Sequence, residues 1–453
     1  MIRVCMMSGL WMVTPRYRIK QQIFLFYIVN ILLACSLFAQ LRRNPEDELA
    51  LTIPMAYQNV SFDTVTERVA IEMALDRSME LQFFNTKAQI AGYRLDSSGR
   101  INNPELRLSE ISSRYIADEF DELRVALRWR PPKLGEIAEE RQQARVDMWR
   151  RKVEAIRFRH DLIAKVRRSY AAVFLYDRLA DLAQRRVVLE TDRIAIVEHL
   201  VELGRRSVVY RTKARMWYAE SKNDYARTVQ RQRQARRKLA KRTGVSEDVS
   251  LSLENLPEIS LDIDQLIAIA FKNRPEIELV RQRIQLAVSQ YNFEHRKLIP
   301  WPTFVDLSYH RLRNKEDWGE MRIGFNLPIF NWNRGNKKAT SLAVKRKELE
   351  SEAIREEIEY EVRDAYSIYQ DFLLDWKTFR QEVEKLISQA ESMVDQAKKH
   401  DTLNPDEVIE MELTIIETNR ILAEKRREIA RALIDLYFAL GIEDPEKLRL
   451  EEE

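Results

Sequence analysis

The sequence predicts a mainly helical fold in which a helix–strand–strand–helix unit occurs twice, its four short strands of the membrane β-barrel type. Three observations carry this. Only 10 glycines and 13 prolines punctuate 453 residues, of which 32% are charged and 45% hydrophobic, a composition suited to long amphipathic helices. Short motifs recur at one fixed separation. Four segments alternate between apolar and polar residues. The net charge of +4 arises from interleaved acids and bases, which reads as solvated helix faces and argues against a nucleic-acid partner.

The first element in the chain is a targeting signal. Arg16, Arg18 and Lys20 precede an uncharged apolar run from Ile23 to Ala39, and charged sequence resumes at Arg42. A basic segment before a short apolar one is a secretory signal, too short for a comfortable membrane span. This gives a signal peptide over 1–39. Two other readings stay open: a lipobox, Leu32-Leu33-Ala34-Cys35, with Cys35 acylated, and an uncleaved inner-membrane anchor. The stretch before Arg16 is long for such a signal, so Met1 need not be the true start. Both cysteines, Cys5 and Cys35, fall in this segment, which leaves the mature chain no thiol for a zinc site or a nucleophile. The five histidines, at 160, 199, 295, 310 and 400, show no ligand spacing. With no nucleophile motif or phosphate loop, neither an enzyme nor a cofactor or metal site is expected.

The body of the chain repeats. Ala270-Phe271-Lys272-Asn273-Arg274-Pro275-Glu276-Ile277 resembles Met73-Ala74-Leu75-Asp76-Arg77-Ser78-Met79-Glu80, 197 residues earlier (270 − 73). Near that separation Asn103-Pro104-Glu105-Leu106 aligns with Pro300-Trp301-Pro302-Thr303. Arg130-Pro131-Pro132 falls close to Leu327-Pro328-Ile329, and a helix break at Gly204 falls on Asp401. The organisation expected is an N-terminal segment over 40–62, a first repeat over 63–243, a linker over 244–261, a second repeat over 262–441 and a tail over 442–453.

Each repeat reads as helix, strand, strand, very long helix, break, helix. The first helix is expected over Thr64–Leu95 in one half and over Asp262–Leu298 in the other, capped by Asp262 and stopped by Pro300 and Pro302. The long helices are expected over Lys133–Leu203 and Asn336–Lys399, where no proline interrupts helical periodicity of Leu342, Leu349, Ala353 and Ile358. Val208–Arg242 and Asp406–Leu440 close the halves, the second ending at Gly441. A helix of this length is roughly 100 Å long at 1.5 Å per residue. Such a rod belongs to a coiled coil, a filament or a stave of a barrel, not to the core of a globule.

The strands discriminate among these. They are expected at about 104–111, 121–131, 303–311 and 320–328. Leu123, Val125, Leu127 and Trp129 alternate with Arg124, Ala126, Arg128 and Arg130. Val305, Leu307 and Tyr309 alternate with Asp306, Ser308 and His310, and Met321, Ile323, Phe325 and Leu327 with Arg322, Gly324 and Asn326. Leu106 and Leu108 give a weaker pattern against Glu105, Arg107 and Ser109. Alternation over about nine residues suits a strand with one face in lipid and one in a polar lumen. A half-buried soluble sheet has the same period, but hairpins inserted between rods have no soluble core to pack on. Four strands cannot close a barrel, and open edges are not tolerated in lipid. The chain is therefore expected to oligomerise, three copies giving twelve strands. Arg107, Arg124, Arg128, Arg130 and Arg322, with Glu105 and Asp306, are expected to face the lumen. Trp129, Tyr309, Trp301 and Trp332 lie near strand ends, where interfacial rings are expected.

The duplicated layout over about 62–441 resembles the outer-membrane efflux protein (TolC-like) family. The segments that carry the resemblance are residues 270–277, Leu298-Ile299-Pro300-Trp301-Pro302 and Leu327-Pro328-Ile329-Phe330-Asn331-Trp332-Asn333-Arg334-Gly335. Asn103-Pro104-Glu105-Leu106 and Pro131-Pro132-Lys133-Leu134-Gly135 are similar to its heavy-metal efflux branch. The resemblance implies a homotrimer with a trimeric α-barrel and a 12-stranded β-barrel in outer-membrane lipid, 40–62 and 244–261 being equatorial. It implies a passive exit duct for small molecules or metal ions. An inner-membrane pump of RND or ABC type and a periplasmic adaptor (membrane fusion) protein would deliver them. The breaks near Gly204, Arg205, Ser207, Asp401 and Asn404 would be the periplasmic tips where the adaptor docks. By alignment through Asp401, Glu407 and Glu410 would be the acidic residues of the constriction; at i, i+3 they share a helix face. Asp401 departs from the glycine usual at this break, which Gly204 keeps in the first half. Two rivals remain: a duct for type I protein secretion, and a secreted coiled-coil scaffold.

Overall fold

The computed structural model describes residues 64–112, 121–252, 258–312, 316–400 and 404–443. The side chains of 110–112, 121, 122, 312 and 400 lie outside that description, as do the expected signal peptide, Cys35, the segment 40–62, Asp401 and the tail from 444. The same series of elements occurs twice. The first comprises β1 (Thr64–Val65), α1 (Glu67–Arg77), α2 (Met79–Ser97), β2 (Glu105–Ser112), β3 (Asp121–Trp129), α3 (Glu136–Glu202) and α4 (Val208–Thr243). The second comprises β4 (Ser250–Leu251), α5 (Ile263–Asn273), α6 (Pro275–Arg296), β5 (Trp301–Leu312), β6 (Trp318–Asn326), α7 (Arg334–His400) and α8 (Pro405–Leu440). The long helices α3 and α7 each have 67 residues, and α4 and α8 each have 36.

The first helix of each half is broken, where the sequence led us to expect it continuous. At Ser78 the backbone turns extended (φ −72°, ψ 100°), and its hydroxyl accepts from Leu81 N at 3.2 Å to start α2. At Arg274 the break follows from Pro275, whose ring disfavours helical geometry in the residue before it. Arg274 is held there by donating to the Ala439 carbonyl at 2.8 Å and to Glu361. Other ends follow ordinary capping. Asp262 and Gln265 form a reciprocal capping box on α5. Gly244 (φ 80°) and Gly441 (φ 68°) end α4 and α8 in the left-handed region.

The helices form a wall. α3 packs along α4 and α8 in one part of its length and along α2 and α6 in the other; α7 flanks α8 and α6. The lateral order is therefore α4–α3–α8–α7 in one half of the wall and α2–α3–α6–α7 in the other. The four-stranded antiparallel sheet continues it in the order β2–β3–β5–β6. One core joins α5, α7 and α8 through Leu266, Val362, Tyr369, Leu436 and Leu440. A second joins β1, α1, α3 and α4 through Val65, Val166, Val173 and Leu239. β1 and β4 pair in parallel, Thr64 with Ser250 and Val65 with Leu251, which brings both ends of the first half together. The Tyr170 hydroxyl lies 2.9 Å from the Val65 carbonyl and 2.7 Å from that of Ser252, latching this pair to α3.

Candidate channel-lining face and tip cluster

The strand registers align the alternating positions of neighbouring strands, so that like positions share one face of the sheet. Glu105 pairs with Arg128, Arg128 with Asp306 and Asp306 with Arg322, so these four form one row across the sheet. Arg124 and His310 share the same face two positions along. Asp306 is 1% exposed, and its Oδ2 accepts from Arg128 Nη2 at 2.7 Å and lies 3.9 Å from Arg124 Nη2. Its Oδ1 and the Arg124 Nε have no hydrogen-bond partner among the described residues. Glu320 lies 3.2 Å from Arg322 Nη2 and 3.3 Å from His310 Nε2. Two ring contacts bound the polar row. Phe304 covers Gly324 across a register shift at the start of β5, and His310 stacks on Trp318 with centroids 4.0 Å apart.

The opposite face is apolar and open. Leu106, Leu108, Leu123, Leu127, Leu307, Met321, Ile323 and Phe325 are all exposed. Beyond β6, Ile329, Phe330 and Trp332 are exposed as well. The indoles of Trp129 and Trp301 donate to the carbonyls of Asn102 and Pro132, which ties the strand ends to the loops leading to the helices. So many uncovered apolar side chains on one face are unfavourable in water, each forfeiting on the order of 1.5–3 kcal/mol of burial. No helix among the described residues is long and apolar enough to cross a membrane.

The second cluster lies at the breaks between long and short helices. Gly204 (φ 69°) turns the chain after α3, and Ser207 caps α4 by accepting from Tyr210 N. Asn404 caps α8 by accepting from Asp406 N at 3.2 Å, and Pro405 occupies the first helical position. Arg193 of α3 is buried here and reaches three acids. Its Nε donates to Asp406 at 3.1 Å, its Nη2 to Glu410 at 3.1 Å, and its Nη1 stands 3.7 Å from Glu190. Asp406, 3% exposed, also accepts from the Tyr210 hydroxyl at 2.7 Å and lies 3.6 Å from Arg206. Burial raises the Glu190 carboxyl above its usual range, and burial with the Asp406 contact raises the Tyr210 phenol. Glu410 is thus held by Arg193, whereas Glu407 is exposed and makes no ion pair with a described residue. Arg205 is exposed too. An apolar recess lined by Ala195, Ile196, His199, Leu200, Asn404 and Pro405 opens beside these turns.

Sequence reading missed Arg193, Glu190, Tyr210 and Asp406 as a unit. Arg193 is one of many arginines on α3, and only the fold shows that it crosses to another helix. The one available signal was that Asp406 and Glu410 stand at i, i+4 in the first turns of α8, where paired acids repel without a cation between them.

The chain thus combines paired helical rods with strands that have one polar and one uncovered apolar face. No family model matches the chain, and no curated protein matches it. Solved structures do. CusC, described for folding and transmembrane channel formation, shares 17% identity with a TM-score of 0.67, covering 86% of this chain and 96% of its own. The open-state outer-membrane channel MtrE of Neisseria gonorrhoeae shares 17% identity with a TM-score of 0.64, covering 83% of this chain and 88% of its own. The Campylobacter jejuni outer-membrane channel CmeC shares 12% identity with a TM-score of 0.64, covering 85% and 88%. The fold of this chain is the fold of these channels.

Proposed function

We propose that this chain is one subunit of an outer-membrane exit duct, a homotrimer that catalyses nothing and conducts passively. The observation that carries the reading is the sheet. It has an exposed apolar face, a charged opposite face and two unpaired edges, β2 and β6, on a helical wall roughly 100 Å long. Three copies would join those edges into twelve strands, apolar face in lipid and the Asp306 row around the lumen. The apolar residues Met79, Phe83, Ile90 and Tyr93 along the outer side of α2, and Leu342 and Leu349 on α7, stay exposed in one copy and support the same association.

In this reading the helices cross the periplasm and their turns meet an adaptor, which hands over small molecules or metal ions from an inner-membrane pump. The apolar recess beside Asn404 supports adaptor docking at the tips. Glu407 and Glu410 form the constriction, with Glu410 held back by Arg193. The outward apolar strands favour this duct over a coiled-coil scaffold.

Reconstitution of the full chain in planar lipid bilayers tests the reading. Discrete conductance steps are expected, larger in Glu407→Ala/Glu410→Ala. Absence of conductance from properly assembled protein would overturn it.

A further inference from the structure

The two sides of the wall are chemically unlike. On one side the uncovered helix is α4, which carries twelve Lys or Arg against only Glu220 and Asp224. Arg215, Arg236 and Arg237 reach Glu198, Asp177 and Glu247, but Arg227, Lys238 and Lys241 have no ion-pair partner among the described residues. On the other side the uncovered helix is α7. There Asp364, Asp371 and Glu382, at spacings of two and three turns, lie on one exposed face and are likewise without an ion-pair partner among the described residues.

Resting on the duct reading, we infer that α4 of one copy docks antiparallel on α7 of the next through a ladder of ion pairs. Its rungs are Arg227 with Glu382 and Lys238 with Asp371. The joint inside each chain gives the geometry. There the long helix of the first half, α3, meets the short helix of the second, α8, antiparallel, through Arg168–Asp435 and Arg193–Asp406. The corresponding partners of the other kind, the long α7 and the short α4, stand at opposite sides of one chain and can meet only between copies.

The levels agree. Within the hairpins, Asp177 of α3 pairs with Arg236 of α4, and Asp375 of α7 with Lys425 of α8. Carried across the α3–α8 joint, these pairs put the Arg227–Lys241 stretch of α4 level with roughly residues 371–385 of α7. Arg227 and Lys238 are three turns apart, as are Glu382 and Asp371, so two rungs fall in register in an antiparallel pair. The apolar contacts proposed above for α2 and the start of α7 involve a different length of the wall. A seam built from exposed charges loosens as salt screens it, whereas apolar contact does not.

Cross-linking the full-length protein in detergent tests the ladder. Arg227→Cys/Glu382→Cys, treated with a short bismaleimide, is expected to give covalent dimers and trimers that neither single variant gives. Arg227→Glu/Lys238→Glu is expected to shift dissociation to about tenfold higher protein concentration, and adding Glu382→Arg/Asp371→Arg is expected to restore it. No inter-copy cross-link and no rescue, in a protein that still assembles and conducts, would overturn the seam and leave the duct standing. A wild-type chain that neither oligomerises nor conducts would overturn both.

Discussion

Arg193 holds three helices with one side chain. It is nearly inaccessible, it touches acids on its own helix and on α8, and its guanidinium lies 4.9 Å from the Trp217 ring of α4. Arg193→Met would leave Asp406 buried with fewer partners, a loss of about 3 kcal/mol that a lower thermal midpoint of the tip would register. Glu190 works the other way. Its carboxyl is raised by burial, so the stability it lends at low pH is lost as pH climbs above the ordinary carboxylate range of about 4.3. Glu190→Gln is therefore expected to unfold at an equal or higher temperature at pH 7. A clearly lower midpoint would show that its contact with Arg193 outweighs its desolvation.

Glu443 shows the opposite sign. Its hydrogen bond with His160, joined by Arg159, pulls its carboxyl down to about 2 against the effect of burial. A depressed folded value stabilises above the unfolded range, and that stability is lost as pH falls from about 4.5 towards 2. Because the side chain is a third exposed, roughly 1–2 kcal/mol is at stake after solvent screening. Acid unfolding of Glu443→Gln, followed by circular dichroism, should begin from a less stable state at pH 7 and show a flatter dependence below pH 4.5. None of these residue roles was legible in the sequence. Each depends on helices brought together from positions a hundred or more residues apart, and local spacing does not report such contacts.

Elements were far more legible, because helix and strand periods are local. The long helices start and stop within a few residues of where proline, glycine and periodicity put them, and the strands β3, β5 and β6 alternate as read. The breaks at Ser78 and Arg274 were missed although both carried signals. Ser78 is a good cap within an otherwise helical run, and Pro275 forbids a smooth helix through Arg274. Strand β2 was the weakest by pattern, and its charged residues turn out to pair with each other, Arg107 with Glu105 at 2.9 Å. Turn glycines allow a comparison at this scale. Gly204 and Gly244 both have positive φ, but a methyl group at 204 meets nothing, whereas at 244 it runs into the Arg77 guanidinium. Gly204→Ala is expected to cost about 1 kcal/mol, the left-handed penalty alone, and Gly244→Ala slightly more, because the flexible Arg77 side chain must also swing aside. Chemical denaturation of the two variants side by side would settle the order.

For the molecule as a whole, the sheet is what the proposed function depends on, and its two faces make unequal demands. On the apolar face, Leu307→Lys places a charge where lipid is proposed, a change worth about 2–4 kcal/mol near the bilayer midplane. On the polar face, Arg322→Gln removes a partner of the partly exposed Glu320 and leaves a hydrated surface. Assembled oligomer surviving mild detergent should therefore fall sharply for Leu307→Lys and little for Arg322→Gln. Equal effects would mean that the apolar face does not meet lipid.

The uncovered sides of the wall have a further consequence for counting. α2, β2 and α4 come from the first half of the chain, and β6 and α7 from the second. Copies joined this way associate head to tail rather than about a twofold axis, so nothing in the adhesive chemistry fixes how many belong together. The number follows from the angle each copy turns through: a wall that bends by a third of a circle closes on the third member. A slightly flatter wall, with the same sides and the same charges, would close at four or wind into an open spiral. Stoichiometry is thus a property of curvature, and substitutions that change how α3 leans on α8, far from any contact between copies, are the ones positioned to alter it.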